Sequence, residues 1–150
     1  MIDTDKIPAE FLAILEEHFK GLTDEIVFPP PVFEALRGEI IRYDVESTTL
    51  VNRFPVLDEH LNPYGSMQGG IVAAAVDNTI GPLSMLVSPP NFTRHMEMKY
   101  GKVVTPDLGY IYVTAKFIEK KKRQLFFEAT VEDSEGNKLA SAKSMHWVID

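Results

Sequence analysis

IVAAAVDNTIGPLSMLV, residues 71–87, is the most apolar stretch of the sequence. Three consecutive alanines among Ile, Val, Leu and Met predict a helix that is buried around most of its circumference. The small side chains would allow a sheet to approach the helix closely. Gly81 and Pro82 predict a kink or an early end, because proline lacks a backbone N–H and clashes with the preceding turn.

Segments that favour β-strands flank this helix on both sides. Residues 39–56 predict two short strands or one long bent strand, with turn formers at 46–48. Further strands are predicted at 93–100, 108–118, 124–133 and 138–149, with a hairpin turn at 133–137. An α+β fold, in which an antiparallel sheet of five or six strands wraps one buried helix, accounts for every segment.

The N-terminal part predicts a separate helical arm. Residues 8–20 carry Phe and Leu at helical spacing and end at Gly21. Three prolines at 29–31 exclude the interior of a helix or a sheet and separate this helix from the main body. We therefore expect an arm over residues 1–38, with a packing role, and one domain over residues 39–150.

Composition excludes several classes of function. The 150 residues are 45% hydrophobic and 25% charged, which is typical of one globular domain. Fifteen basic and 22 acidic side chains give a net charge of -7, which disfavours nucleic acid as a partner. The sequence has no cysteine, its acidic start does not resemble a signal peptide, and the apolar run at 71–76 is too short to span a membrane. We expect a cytoplasmic protein without a membrane partner.

Common catalytic motifs are absent from the sequence. It contains no G-x-S-x-G, H-E-x-x-H, G-x-G-x-x-G or Walker motif. The histidines lack the spacing of metal ligands, so surface or strand positions are expected for His18, His60, His95 and His146, and no metal site is expected. One basic run is formed by Lys120, Lys121, Lys122 and Arg123. A solvated hairpin tip and a phosphate site both explain that run.

Asp77 is the unusual residue of the apolar stretch. A lone ionised carboxylate is costly in such surroundings unless another group pairs with it. Gly69 and Gly70 stand where the helix begins, and free N–H groups at a helix start can hold an anion or a polarised carbonyl. An exposed stripe carrying Asp77, with glycines that serve only the turn, explains the same residues without chemistry.

Helix geometry separates these candidate groups. Asp77 follows Gly69 by eight residues, which places it about 12 Å further along the helix axis. The Gly69 N–H and the Asp77 carboxylate of one chain are therefore too far apart to contact the same reacting carbonyl. If both groups are catalytic, they come from two chains, and a homodimer with a shared site is predicted.

The run NPYGSMQGGIVAAAVD, Asn62 to Asp77, resembles the signature of the hotdog-fold acyl-CoA thioesterases of the phenylacetate-pathway, PaaI-like type, in the 4-hydroxybenzoyl-CoA thioesterase superfamily. That signature has Asn, Gly, His-Gly-Gly and Asp at the same spacings. The strand order over residues 40–149 is also similar. The resemblance implies hydrolysis of a CoA thioester in a homodimer or a dimer of dimers, without a metal or redox cofactor.

The resemblance also implies roles for individual residues. The Gly69 N–H would polarise the thioester carbonyl with the Asn62 amide beside it. Asp77 of the partner subunit would act as general base on water, or as a nucleophile that forms an anhydride. Thr93 would orient the water. The substrate-binding set would be Gly65, Gly70, Lys120, Lys121, Lys122 and Arg123, in which the basic residues hold the CoA phosphates.

Gln68 is the one departure from the signature, because the family has histidine there. Glutamine forms hydrogen bonds but cannot take up a proton. The departure favours an alternative function, a non-catalytic protein that binds acyl-CoA or an acyl carrier. A hydratase of a related hotdog branch ranks below both, because no Asp and His pair stands near the helix start. The Met and aromatic content admits a medium aliphatic or an aryl acyl group.

Overall fold

One antiparallel sheet carries the fold. The computed structural model describes residues 2–21 and 25–149. The strands are β1 (Glu39–Asp44), β2 (Thr49–Pro55), β3 (Asn91–Tyr100), β4 (Tyr110–Lys121), β5 (Gln124–Glu132) and β6 (Lys138–Val148). Their order across the sheet is β1-β2-β4-β5-β6-β3, and every neighbouring pair is antiparallel. The prediction of an antiparallel sheet of five or six strands is confirmed, with six.

Three α-helices accompany the sheet in the described residues. They are α1 (Ala9–His18), α2 (Pro31–Ala35) and α3 (Gly69–Val87). Helix α3 lies against the sheet, and its Val76, Ile80 and Leu83 side chains are fully buried. A long central helix wrapped by a sheet is the architecture that the apolar stretch predicted.

Helix α3 continues through Pro82 to Val87, so the predicted early end is wrong. Proline at position 82 leaves the carbonyl of Asn78 without its usual N–H donor. Asn52 of β2, which is fully buried, supplies a replacement: its Nδ2 donates to Asn78 O at 3.2 Å and to Thr79 Oγ1 at 3.3 Å. A side chain of the sheet thereby satisfies the group that the proline leaves free.

The N-terminal helix packs on the main body. Phe11 and Leu15 of α1 are fully buried and belong to one core with residues of α3. The short helix α2 was not predicted from the three prolines. Pro31 is its first residue, a position at which proline has no helical N–H to lose.

The ends of the hairpins are nearly where the sequence places them. The turn at 133–137 joins β5 and β6 as predicted. The predicted tip at 120–123 is shorter than expected, because Lys120 and Lys121 still belong to β4. The turn itself contains Lys122, with φ 55°, and Arg123.

Among the described residues, α3 is the one helix long and apolar enough to cross a membrane, with a mean hydropathy of 1.4. The core helix of a globular domain meets the same criteria. In this structure 56% of the apolar window is buried inside the protein.

Candidate functional site

Asp77 has a hydrogen-bond partner on β3. The carboxylate is half-buried on α3, and Thr93 Oγ1 donates to Asp77 Oδ1 at 2.9 Å. The register of β3 against β6 shifts between Thr93 and His95, which marks a bulge at Arg94. Bulges re-aim side chains and are frequent beside active sites. The structure therefore brings together two residues that the sequence assigned to one site.

A buried imidazole extends this contact. Thr93 Oγ1 lies 3.3 Å from Nε2 of His146, which is 2% exposed, and His146 Nδ1 lies 2.8 Å from Asn91 Oδ1. Burial lowers the pKa of His146, while the charge of Asp77 opposes that change. We call Asp77, Thr93, His146 and Asn91 the polar chain.

The start of α3 presents free backbone donors. In the part of the chain that the structure describes, no hydrogen bond leaves the N–H of Gly69 or Gly70. Tyr100 Oη donates to Gly69 O at 2.7 Å, and a Cβ added at Gly69 would lie 3.3 Å from the Tyr100 ring. This close approach of the ring explains a glycine at position 69.

Asn62 organises the loop before α3. Its Oδ1 accepts from the N–H groups of Tyr64 at 2.9 Å and Ser66 at 3.2 Å, and its Nδ2 donates to Ser66 Oγ at 3.0 Å. Gly65 has φ 81°, a conformation that glycine adopts without strain. Asn62 and Gly69 line one cavity of about 250 Å³. The predicted pair of carbonyl-binding groups therefore lies together, although one N–H of the Asn62 amide is used by the loop.

Gln68 caps α3 with its backbone alone. Its carbonyl accepts from the N–H groups of Ile71 at 2.8 Å and Val72 at 3.2 Å, and its own N–H donates to His60 O at 2.8 Å. The side chain is exposed and makes no capping hydrogen bond. The residue in the place of the family's histidine is therefore available to a ligand.

The two groups of candidate residues are separate within one chain. The helix-start half consists of Gly69, the first residue of α3, and Asn62 of the preceding loop. The carboxylate half consists of Asp77, eight residues further along α3, and its partner Thr93 on β3. Because α3 is continuous from Gly69 to Val87, the two halves stay about 12 Å apart. Neither half alone offers both a base and a donor for the carbonyl oxygen.

The basic residues 120–123 lie at the same end of the sheet as the carboxylate half. Lys120, Leu125, His146 and Thr93 face one another in register across β4, β5, β6 and β3. Three strand spacings of about 4.8 Å separate Lys120 from Thr93. Lys121 pairs with Glu119 at 3.1 Å, and the Arg123 guanidinium lies 5.9 Å from the centre of the Trp147 ring.

The sequence did not identify three residues that adjoin the two halves. They are Asn91, Tyr100 and His146. The apolar pattern of β6 does not mark His146 as buried, because the apolar residues beside it are Met145 and Trp147, which point to the opposite face. In the structure every second residue of β6 from Ala140 to His146 is buried, which places this imidazole on the inner face. Within residues 2–21 and 25–149, no group of three His, Asp or Glu side chains is placed to hold a metal ion.

Known structures share this architecture. A phenylacetic acid degradation-related protein from Ralstonia eutropha JMP134, provisionally named a thioesterase, superposes with a TM-score of 0.75 at 21% identity over 87% of this chain and 99% of its own. The PaaI protein of the E. coli phenylacetic acid degradation operon superposes with a TM-score of 0.77 at 14% identity, over 92% of this chain and 95% of its own. This chain has the hotdog fold.

A third hotdog structure contains a ligand. The smu.793 protein of Streptococcus mutans UA159, bound to acetyl CoA, gives a TM-score of 0.69 at 18% identity over 83% of this chain and 92% of its own. No protein-family model and no curated protein sequence matches this chain. At these identities the likeness establishes the fold, and the function has to be argued from the site.

Proposed function

We propose that this hotdog protein hydrolyses an acyl-CoA thioester to a free acid and CoA at a site shared by two chains. The proposal rests on two features of α3. Backbone N–H groups are free at its start, and the carboxylate of Asp77, eight residues later, accepts a hydrogen bond from Thr93. A donor for a developing oxyanion and a base for water are the two groups that thioester hydrolysis needs.

In the proposed reaction, each half supplies one function. The Gly69 N–H and the Asn62 amide polarise the thioester carbonyl. Asp77 of the partner subunit takes a proton from water held by Thr93, and the water oxygen bonds to the carbonyl carbon. The C–S bond then breaks, and the proton from Asp77 passes to the departing CoA sulfur. Direct attack by Asp77 to form an anhydride remains the alternative form of the step.

Strand β3 offers the surface for the proposed dimer. It is an edge strand of ten residues, and its outer edge is unpaired in the described chain. Phe92 and Tyr100 on this strand are 48% and 54% exposed. A long open edge with exposed apolar groups favours pairing with another strand. Because Thr93 lies on β3, pairing through this edge would place the carboxylate half at the interface.

The named neighbours favour a CoA thioester as substrate. The Streptococcus mutans protein was solved with acetyl CoA, and the E. coli protein comes from the phenylacetic acid degradation operon. In our proposal Lys120, Lys121, Lys122 and Arg123 contact the CoA phosphates, because they lie at the end of the sheet where Thr93 contacts Asp77. The reaction uses no metal or redox cofactor and takes place in the cytoplasm.

Thiol release from a panel of aliphatic and aryl acyl-CoAs tests the proposal. We expect turnover by the natural protein and a loss of about 10²–10⁴ in kcat for Asp77→Asn, with acyl-CoA binding retained. Asp107→Asn, at an exposed aspartate of the 106–108 turn, is the matched control and should keep full activity. Unchanged kcat in Asp77→Asn would exclude this residue as the base.

A second candidate function is non-catalytic binding of acyl-CoA, and Gln68 is the observation that favours it. Its exposed amide forms hydrogen bonds but cannot carry a proton. Calorimetric binding of a non-hydrolysable acyl-CoA analogue, measured beside thiol release, separates the two functions. Tight binding without thiol release would establish the second function.

A further inference from the structure

His146 is a buried titratable group that the proposed reaction does not yet use. It is held at both ring nitrogens, by Thr93 at Nε2 and by Asn91 at Nδ1. The ring also packs against Phe127, with the ring centres 5.0 Å apart. Its position on the far side of Thr93 from Asp77 raises the question of which atoms of the polar chain carry hydrogen.

The orientation of Asn91 fixes the hydrogen on Nδ1. Asn91 Nδ2 lies 3.0 Å from Pro89 O and 3.4 Å from Ser84 O. Both are carbonyl oxygens, which only accept, so the amide nitrogen must face them and Oδ1 must face His146. Because Oδ1 also only accepts, Nδ1 has to donate. Neutral His146 therefore has its lone pair on Nε2, toward Thr93.

The polar chain then lacks one hydrogen when Asp77 is ionised. Thr93 has a single hydroxyl hydrogen, and two acceptors face it: Asp77 Oδ1 at 2.9 Å and His146 Nε2 at 3.3 Å. If Asp77 takes up a proton, its O–H can donate to Thr93 Oγ1 while Thr93 donates to Nε2. Nε2 of His146, a side chain that is 2% exposed, then has its donor, and a buried polar group gains most from complete pairing.

We propose that His146 is a positioning residue that acts through Thr93 to stabilise Asp77 in its protonated form, after Asp77 has taken the proton of the attacking water. The inference rests on the proposed function and deepens it. When the water oxygen bonds to the carbonyl carbon, its proton moves to Asp77 and the Thr93 hydroxyl turns from Asp77 to Nε2. When the C–S bond breaks, the proton leaves Asp77 for the CoA sulfur, and Thr93 turns back.

Kinetic variants test this role. His146→Gln should lower kcat about tenfold or more with KM unchanged, and Thr93→Val should do the same. Thr93→Ser keeps the hydroxyl and should restore the rate. His95→Gln, at an exposed histidine of β3, is the control. Because His146 acts only through Thr93, adding His146→Gln to Thr93→Val should cost nothing further. Fully additive losses would overturn the proposal.

A second measurement does not depend on activity. In ¹⁵N-histidine NMR spectra of the natural chain, neutral His146 should carry its proton on Nδ1. Asp77 is the charged group that reaches His146 from α3, Lys120 stands two strands away in the same row, and Asn91 and Thr93 are uncharged. Asp77→Asn removes the nearby negative charge and should move the titration of His146 to lower pH.

The outcomes separate this inference from the proposed function. An Nε2–H tautomer in a protein that hydrolyses thioesters would overturn the role of His146 alone. An unchanged His146 titration in Asp77→Asn would also overturn it. A natural protein that releases no thiol from any acyl-CoA would overturn the hydrolysis, and with it the catalytic use of the polar chain.

Discussion

Gln68 is the single residue at which the resemblance and this sequence disagree. Its backbone begins α3, and its exposed side chain caps nothing, so a substitution should leave the helix intact. If the Gly69 N–H, Asn62 and Asp77 suffice, Gln68→His should change kcat by less than about tenfold, with Gln68→Ala as the control for loss of the amide. A gain of 10²–10³ in thiol release would show that the missing imidazole is an essential oxyanion donor.

The backbone N–H of Gly69 can be removed without removing the helix. Proline is tolerated at the first helical position, and Gln68 has ψ 137°, the extended conformation that a residue before proline prefers. Gly69→Pro should lower kcat by about 10²–10³. Gly69→Ala is the matched control, because it adds the same Cβ beside Tyr100 but keeps the N–H. Equal losses in the two variants would assign the effect to the Tyr100 contact.

The buried His146 should make stability depend on pH. Burial lowers its pKa below the ordinary 6.5, so the unfolded chain binds the proton more readily than the folded chain. The stabilisation is present above about pH 6.5 and is lost as the pH falls toward the lowered pKa, by at most about 1.4 kcal/mol per pH unit. Urea unfolding at pH 7.5 and 5.5 measures the loss, and His146→Gln should flatten it. An unchanged slope in that variant would contradict the assignment.

At the scale of elements, the hydrophobic pattern predicted the strands and the central helix, because the buried positions of a strand or helix are occupied by apolar residues at regular spacing. The rules for local backbone conformation predicted a kink or an early end at Pro82, and the early end is wrong, because α3 continues to Val87. The helix persists because Asn52, thirty positions earlier, donates to the carbonyl that the proline leaves free. Such a long-range contact leaves no mark on the local pattern around residue 82.

This compensation predicts an energetic coupling between Asn52 and Pro82. Asn52→Leu should destabilise the fold by about 1–3 kcal/mol, because Asn78 O loses its donor. In a Pro82→Ala background the helix supplies its own N–H, so the same substitution should cost less. Leucine also removes Asn52 Oδ1, a buried atom that has no hydrogen-bond partner among the described residues. The single substitution therefore changes two groups at once, and only the interaction free energy between positions 52 and 82 measures the compensation. A double-mutant cycle from urea unfolding measures it, and strict additivity would contradict the compensation.

At the scale of the whole molecule, the sequence indicated which residues belong together but not all the contacts between them. Thr93 was expected near a base and donates to Asp77 in the same chain. Asn91 and His146 were not assigned, because their meeting depends on the pairing of β3 with β6, whose strands are far apart in sequence. The 12 Å between Gly69 and Asp77 follows from helix geometry alone, and it is the reason to expect two chains.

Mixed dimers test whether each site takes Gly69 from one chain and Asp77 from the other. Gly69→Pro and Asp77→Asn should each be nearly inactive. When their subunits are exchanged, about half of the dimers are mixed, and each mixed dimer holds one intact site of two. Thiol release should therefore recover to roughly a quarter of the natural rate. The control is exchange of the natural chain with a double variant that carries both Gly69→Pro and Asp77→Asn. If sites are shared, only the natural homodimers are active, and about a quarter of the natural rate remains. If each site lies within one chain, about half of the rate remains in this control, and the first mixture shows no recovery.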